Sequence, residues 1–225
     1  MLDFSVIICY NIIYAIYKRD YMRILTLTRS DVLASNCYIV ISGNSFSVID
    51  PSVGYEAALT KHHELSELSP RYVILTHGHI DHFWEIESYV RIGCSVIVSL
   101  SDASKLSDPM TNCSFFIPGP TKLYAGAYSV ISEGDSVDLG DESLTVMHTP
   151  GHTSGSVCLI GGGVIFSGDT LFAGGAYGRY DLPSGDGAQL FSSISRLLGS
   201  VSDAVMYSGH GDRTDIESVK KYFDI

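Results

Sequence analysis

From Arg23 onward, apolar and polar positions alternate with the period of a β-strand. "RILTLT" (23–28), "NCYIVIS" (36–42) and "SFSVID" (45–50) are rich in β-branched residues. Gly43-Asn44 between the last two predicts a hairpin. Apolar residues then fall at helical spacing over 54–68. "RYVILT" (71–76) is a short, continuously apolar strand, and the pattern next predicts a helix over 83–92 and a buried strand at "CSVIVS" (94–99). Residues 107–126 hold Pro109, Pro118 and Pro120 and no period, which marks a long loop, and loops of that length in a compact domain tend to carry function or move. Strands resume over 136–149, 156–170 reads as a hairpin on glycines, 187–200 as an amphipathic helix, and 204–212 as a strand before a short terminal helix. This strand-rich order with interspersed helices predicts two sheets flanked by helices, a layered α/β fold. No low-complexity linker interrupts residues 22–225, so they are expected to form one domain.

The N-terminus departs from this pattern. "FSVIICYNIIYAIY" (4–17) is apolar, but it is interrupted by Asn11 and short for a membrane span. Asp3 precedes it while Lys18 and Arg19 follow, the reverse of a secretory signal. Residues 1–21 are therefore expected to be a peripheral or non-native extension without stable membrane insertion.

Composition narrows the class. With 225 residues, 45% hydrophobic and 17% charged, the chain is long enough to bury a core without staples. A net charge of −11 and the lack of any basic run argue against nucleic acid as a partner. Five scattered cysteines, with no CxxC pair, suit buried free thiols in a reducing, cytoplasmic compartment.

The candidate chemistry begins at "LTHGHIDH" (75–82), directly after an apolar strand. Three more His or Asp residues stand at the same kind of place: His152 in "HTPGHTSGS", Asp169 in "FSGDTLF" and His210 in "YSGHGD". Imidazole and carboxylate hold zinc, iron or manganese, and loops at strand ends bring distant residues together. His77, His79, Asp81, His82, His152, Asp169 and His210 make seven ligands. That is too many for one tetrahedral ion and suits two ions with a shared carboxylate.

In order and spacing these motifs resemble the metallo-β-lactamase fold superfamily over residues 22–225. Within it, "DPMTNCS" (108–114) and "GDTLFAGGAYGRYDLPSGD" (168–186) resemble the small single-domain relatives of hydroxyacylglutathione hydrolase, glyoxalase II. The resemblance implies a four-layer αββα sandwich with a dinuclear site at one edge of its sheets. It places His77, His79 and His152 on one metal, Asp81, His82 and His210 on a second, and Asp169 between them. The alternation of His77 and His79 by two agrees with presentation from an extended segment.

The implied activity is hydrolysis of small thioesters or esters by two divalent ions, zinc above iron or manganese, with a hydroxide bridging them as nucleophile. Asp81 would relay its proton to the leaving group. Arg179 and Asp181 in "GRYD" would stand behind the ligands or against an acidic substrate. Tyr177 and Lys122 are candidate substrate contacts, and His148 is expected to be structural or to stand behind the ligands. After "DH" the family's small residue gives way to "FWEI", which places Trp84 at the expected site mouth. Full-length hydroxyacylglutathione hydrolases carry a C-terminal helical domain that helps bind glutathione, whereas this chain stops at Ile225. The expectation is thus thioester or ester hydrolysis without a defined glutathione subsite. The alternative within the same fold is a mononuclear iron persulfide dioxygenase. Oligomeric state has no signature in the sequence.

Overall fold

The structure is a computed structural model that describes residues 22–31, 33–118 and 121–223; the extension at 1–21 lies outside them. The first three predicted strands form β1 (Arg23–Thr28), β2 (Asn36–Ser42) and β3 (Ser45–Ile49), paired antiparallel. Gly43, at φ 57°, turns β2 into β3 so that Ser42 faces Ser45. β4 (Ser69–Ile74), β5 (Ser95–Ser99) and β6 (Tyr128–Ile131) extend this sheet in parallel, in the order β1-β2-β3-β4-β5-β6. The second sheet contains β7 (Ser136–Asp138), β8 (Ser143–His148), β9 (Val157–Gly161), β10 (Val164–Gly168), β11 (Val205–Ser208) and β12 (Thr214–Asp215), in the order β12-β11-β10-β9-β8-β7.

Side-chain alternation assigns the layers. In β2, Tyr38 and Val40 face the second sheet, while Cys37, Ile39 and Ile41 face away from it, so all seven residues of the strand are buried. A strand covered on both faces reads as a continuous apolar run, as this one does. Between the sheets, Ile49, Ile74 and Ile97 meet Val146, Leu159 and Phe166. The outer face of the first sheet packs on α1 (Tyr55–Lys61) and on α2 (Ile80–Phe83) and α3 (Ile86–Val90), through residues such as Ala58, Phe83 and Tyr89. A short α4 (Leu100–Ala103) follows β5. The outer face of the second sheet packs on α5 (Gly187–Ser200) and α6 (Ile216–Lys220), through Ile194, Leu197 and Val219. Three apolar layers between four layers of structure make an αββα sandwich.

Two predicted helices are shorter than the periodicity suggests. The helix over 54–68 ends at Lys61, and a 3₁₀ turn over His63–Glu67 tightens the chain to bury Leu65. The helix over 83–92 is broken at Trp84-Glu85, where the Glu85 N–H donates to the Pro51 carbonyl at 2.9 Å instead of continuing the helix. Its first turn begins at Ile80, inside the histidine cluster. The loop over 107–126 carries a 3₁₀ turn at Ser114–Phe116 and, among its described residues, no strand. It is pinned by buried Asn112, whose carbonyl accepts from the Ile80 N–H at 2.9 Å. Among the described residues no helix is long and apolar enough to cross a membrane.

Candidate metal centre

Five chain segments reach one edge of the sandwich, each just past a strand: 50–52 after β3, 75–82 after β4, 149–156 after β8, 169 after β10 and 209–211 after β11. Hydrogen bonds between strand ends lock the two sheets together at this edge. The Val157 N–H donates to Thr76 O at 2.8 Å, and the Asn36 amide donates to Ser208 O at 3.0 Å and to Gly211 O at 2.8 Å.

All seven predicted ligands converge here. His79 Nδ1 lies 2.9 Å from His152 Nε2, which lies 3.2 Å from His77 Nε2. His210 Nε2 is 3.3 Å and His82 Nε2 3.5 Å from Asp81 Oδ2. Asp169 spans the two groups, with Oδ2 3.5 Å from both His152 and His210 and Oδ1 3.4 Å from His82. In each of three subsets, His77–His79–His152, His77–His82–Asp169 and Asp81–His82–His210, the ligand atoms lie within 4.8 Å of one another.

A divalent cation fits this donor set. Ligands about 2.0–2.1 Å from a tetrahedral ion stand about 3.4 Å apart, close to the spacings here. Without a cation, His82 Nε2 and Asp169 Oδ1 are buried polar atoms with no hydrogen-bond partner, a cost that structures seldom carry unexplained. Three outward-facing ring nitrogens are tied to fixed acceptors. His82 Nδ1 donates to Asp50 Oδ2 at 3.0 Å, His152 Nδ1 to the Arg179 carbonyl at 2.7 Å, and His77 Nδ1 to the Thr76 hydroxyl at 3.1 Å. This network selects the tautomers that turn the remaining lone pairs inward.

The metal-free electrostatics divide the cluster. Burial, reinforced by His82 and His152, holds His77 well below the usual histidine range, and burial beside His152 brings His79 down to about 3. Burial acts in the same direction on His82 and His210, but the surrounding carboxylates outweigh it. His82 rises to about 9 under Asp81, Asp169 and Asp50, and His210 to about 11 under Asp169 and Asp81. Burial opposes ionisation of Asp169 and Asp81, yet the adjacent imidazoles keep both carboxyls below their ordinary range.

Sequence comparison decides the family. The profile of the metallo-beta-lactamase superfamily matches residues 30–210, more than half of the chain. This protein belongs to the metallo-beta-lactamase superfamily. It is 35% identical over 210 residues to an uncharacterised protein of Mycobacterium tuberculosis, with 85% of this chain and 92% of that one covered. It is 31% identical over 193 residues to the hydroxyacylglutathione hydrolase GloC of Haemophilus influenzae, with 83% and 90% covered. Among solved structures, the B3 metallo-beta-lactamase BLEG-1 superposes with a TM-score of 0.79 at 28% identity, covering 88% of this chain and 97% of that one. TTHA1623 in a di-iron-bound form superposes with a TM-score of 0.74 at 28% identity and the same coverage. Metal dependence is therefore a property of the superfamily to which this cluster belongs.

The residues expected around the ligands are distributed differently. The Arg179 guanidinium pairs with Asp181 rather than with a metal-site carboxylate, through Nε and Nη2, both at 2.9 Å, on the exposed surface. Only its main-chain carbonyl reaches the cluster, through His152. Trp84 is not among the residues lining the cavity over the site: it packs at the margin of the apolar layer between the first sheet and its helices, with the Arg29 guanidinium 4.3 Å and Lys122 Nζ 5.0 Å from its ring centre. Lys122 also donates to the Trp84 carbonyl, so it turns from the site as well. His148 stands at the end of β8 beside Glu133 and Arg196, apart from the ligands. Tyr177 does line the cavity.

Three contributors escaped the sequence reading. Asp50, buried at φ 53°, accepts from the Thr76 N–H at 2.8 Å, the Thr76 hydroxyl at 2.7 Å and His82. Asp102, fully buried, accepts from the Gly78 N–H at 2.8 Å, the Gly155 N–H at 3.0 Å and the Thr153 hydroxyl at 2.6 Å, joining the loops that carry His77, His79 and His152. Cys113, expected simply as a buried thiol, lines the cavity at φ 68°. A single Asp or Cys beside an apolar run has no distinguishing periodicity, so only the fold exposes these roles.

Proposed function

We propose that this chain is a metal-dependent hydrolase of small thioesters or esters with a two-ion site, zinc being the expected metal. The observation that carries this reading is Asp169, whose two carboxylate oxygens stand between two complete ligand groups. Three nitrogens (His77, His79, His152) would hold one ion, and Asp81, His82 and His210 the other. Two divalent ions, when bound, supply Lewis-acid polarisation of a carbonyl and acidify water near neutral pH.

The chain's own residues do the rest. Asp81 lines the cavity and is held ionised, so one of its carboxylate oxygens can accept the proton of the attacking water and return it to the leaving group. A thiolate needs little such help, which favours thioesters. Asp50, through His82, and the Arg179 carbonyl, through His152, keep the imidazoles oriented during turnover. The name of GloC supports the thioester assignment, and this chain covers 90% of that relative's length. The likeness to BLEG-1 makes a β-lactam the natural competing substrate.

The test is metal quantification on protein purified without added metal, followed on the same sample by S-lactoylglutathione, a chromogenic cephalosporin, and oxygen uptake with glutathione persulfide. Two ions per chain with thioester turnover is the expected result. One metal per chain without ester or thioester hydrolysis sinks the reading, and iron with persulfide-dependent oxygen uptake replaces it with the dioxygenase.

A further inference from the structure

Above the ligand cluster lies a cavity of about 710 Å³. Its floor is polar, formed by His79, Asp81, His152, Asp169 and His210, but its walls are not. Leu33, Phe116, Ile117, Phe172, Tyr177 and Leu182 surround the opening. Two of them continue outward as exposed aromatic surface. Phe116 stands 5.7 Å from Phe115, and Tyr177 stands 5.0 Å from Phe191 and 6.5 Å from Tyr180, all five being exposed. Exposed apolar residues scattered singly are ordinary, but two aromatic groups sharing the mouth of one cavity are not.

The charges point the same way. Apart from the ligand histidines on its floor, Arg179 is the one cationic side chain among the described residues lining the cavity, and both nitrogens that it commits go to Asp181. Lys105 donates to Ser184 at 2.8 Å and Lys122 lies over Trp84, so neither offers a free ammonium to the opening. A peptide-like thiol with two carboxylates, such as glutathione, would enter past apolar walls that offer its charged ends no uncommitted cationic side chain. Leaving such charges unpaired discriminates strongly against a ligand, whereas apolar walls favour an apolar group by about tenfold or more.

We propose that the cavity selects thioesters or esters whose non-reacting part is apolar and uncharged, an aliphatic or aryl group lying between Phe116 and Tyr177. This rests on the hydrolase reading for the reaction, but not for the binding. The full chain, metal-loaded, is therefore tested first with two thioethers that contain no bond to hydrolyse, benzyl methyl sulfide and S-methylglutathione, by ligand-observed NMR and calorimetry. The benzyl compound is expected to bind at least about tenfold more tightly, and Phe116→Ala to remove most of that preference. Leu100→Ala, an exposed apolar truncation away from the cavity, is expected to leave it unchanged. Equal or tighter binding of S-methylglutathione overturns the proposal, as does binding of neither compound. Lactoyl thioesters of benzyl mercaptan and glutathione then compare kcat/KM with one acyl group. Binding of the benzyl thioether with no turnover of either thioester would refute the hydrolase and leave the apolar selectivity standing.

Discussion

Replacing Asp50 separates structural support from metal support. Its carboxylate is 1% exposed and accepts three hydrogen bonds, two from Thr76 and one from the His82 ring. Asp50→Asn keeps the shape and tolerates the left-handed backbone at φ 53°, but an amide group cannot accept on both sides. At least one buried donor loses its partner, at about 1–3 kcal/mol for each such group, so unfolding free energy should fall by about 2–4 kcal/mol. Asp50→Ala strands all three donors and adds strain at the positive φ, for about 4–7 kcal/mol. The second consequence is specific to the site. In Asp50→Ala, where His82 has no acceptor, the affinity for the ion that it would bind should drop about 10–100-fold, while the ion on His77, His79 and His152 is retained. Urea denaturation of the chelator-treated chain reads the first effect, and competition with a metallochromic chelator reads the second. If Asp50→Ala loses the stability expected but binds two ions with wild-type affinity, Asp50 serves the fold alone and the positioning argument is wrong.

Four other perturbations follow from the same geometry. In the metal-free chain His82 and His210, raised to about 9 and about 11, contribute stability that is complete below the ordinary histidine value of 6.5 and lost as pH climbs through those values. Melting of the chelator-treated chain should therefore fall from pH 7 to 10, while stabilisation by added zinc grows over that range because bound imidazole must be unprotonated; parallel pH profiles with and without zinc contradict this. A Cβ at Gly209 would sit 2.1 Å from Asp169 Oδ1 and 2.7 Å from His82 Cε1, so Gly209→Ala should bind no more than one ion per chain by elemental analysis. Asp102→Ala touches no ligand, yet by freeing the Gly78 and Gly155 amides it should lower metal affinity about tenfold or more, read by the same chelator competition. Leu197→Ala empties a fully buried position between α5 and the second sheet and should cost about 2–5 kcal/mol in urea without changing metal content.

Much of the sandwich was legible because its signals are local. The β-branched runs of 36–42 and 45–50 and the glycine at the 43–44 turn specify a hairpin without help from distant residues, and the apolar stripe of 187–200 predicts α5 to the residue. The two interrupted helices were not legible. Their breaks satisfy nonlocal demands: burial of Leu65 in one case, and the bond from the Glu85 N–H to the Pro51 carbonyl in the other.

Ligand identity belongs to the same division. Histidine and aspartate at strand ends announce themselves by residue type, and the sequence by itself determined that seven such groups stood where strands terminate. Only the tertiary structure decided what surrounds them. Asp50 and Asp102 became visible once β3 and α4 were brought beside the clusters, and Arg179, with Asp181 two residues away, closed a local ion pair and left its carbonyl to His152. Trp84 turned between Arg29 and Lys122 instead of toward the cavity. The reason is physical: a ligand's chemistry resides in its own side chain, whereas support, exclusion of water and selectivity are properties of neighbours that only folding assembles.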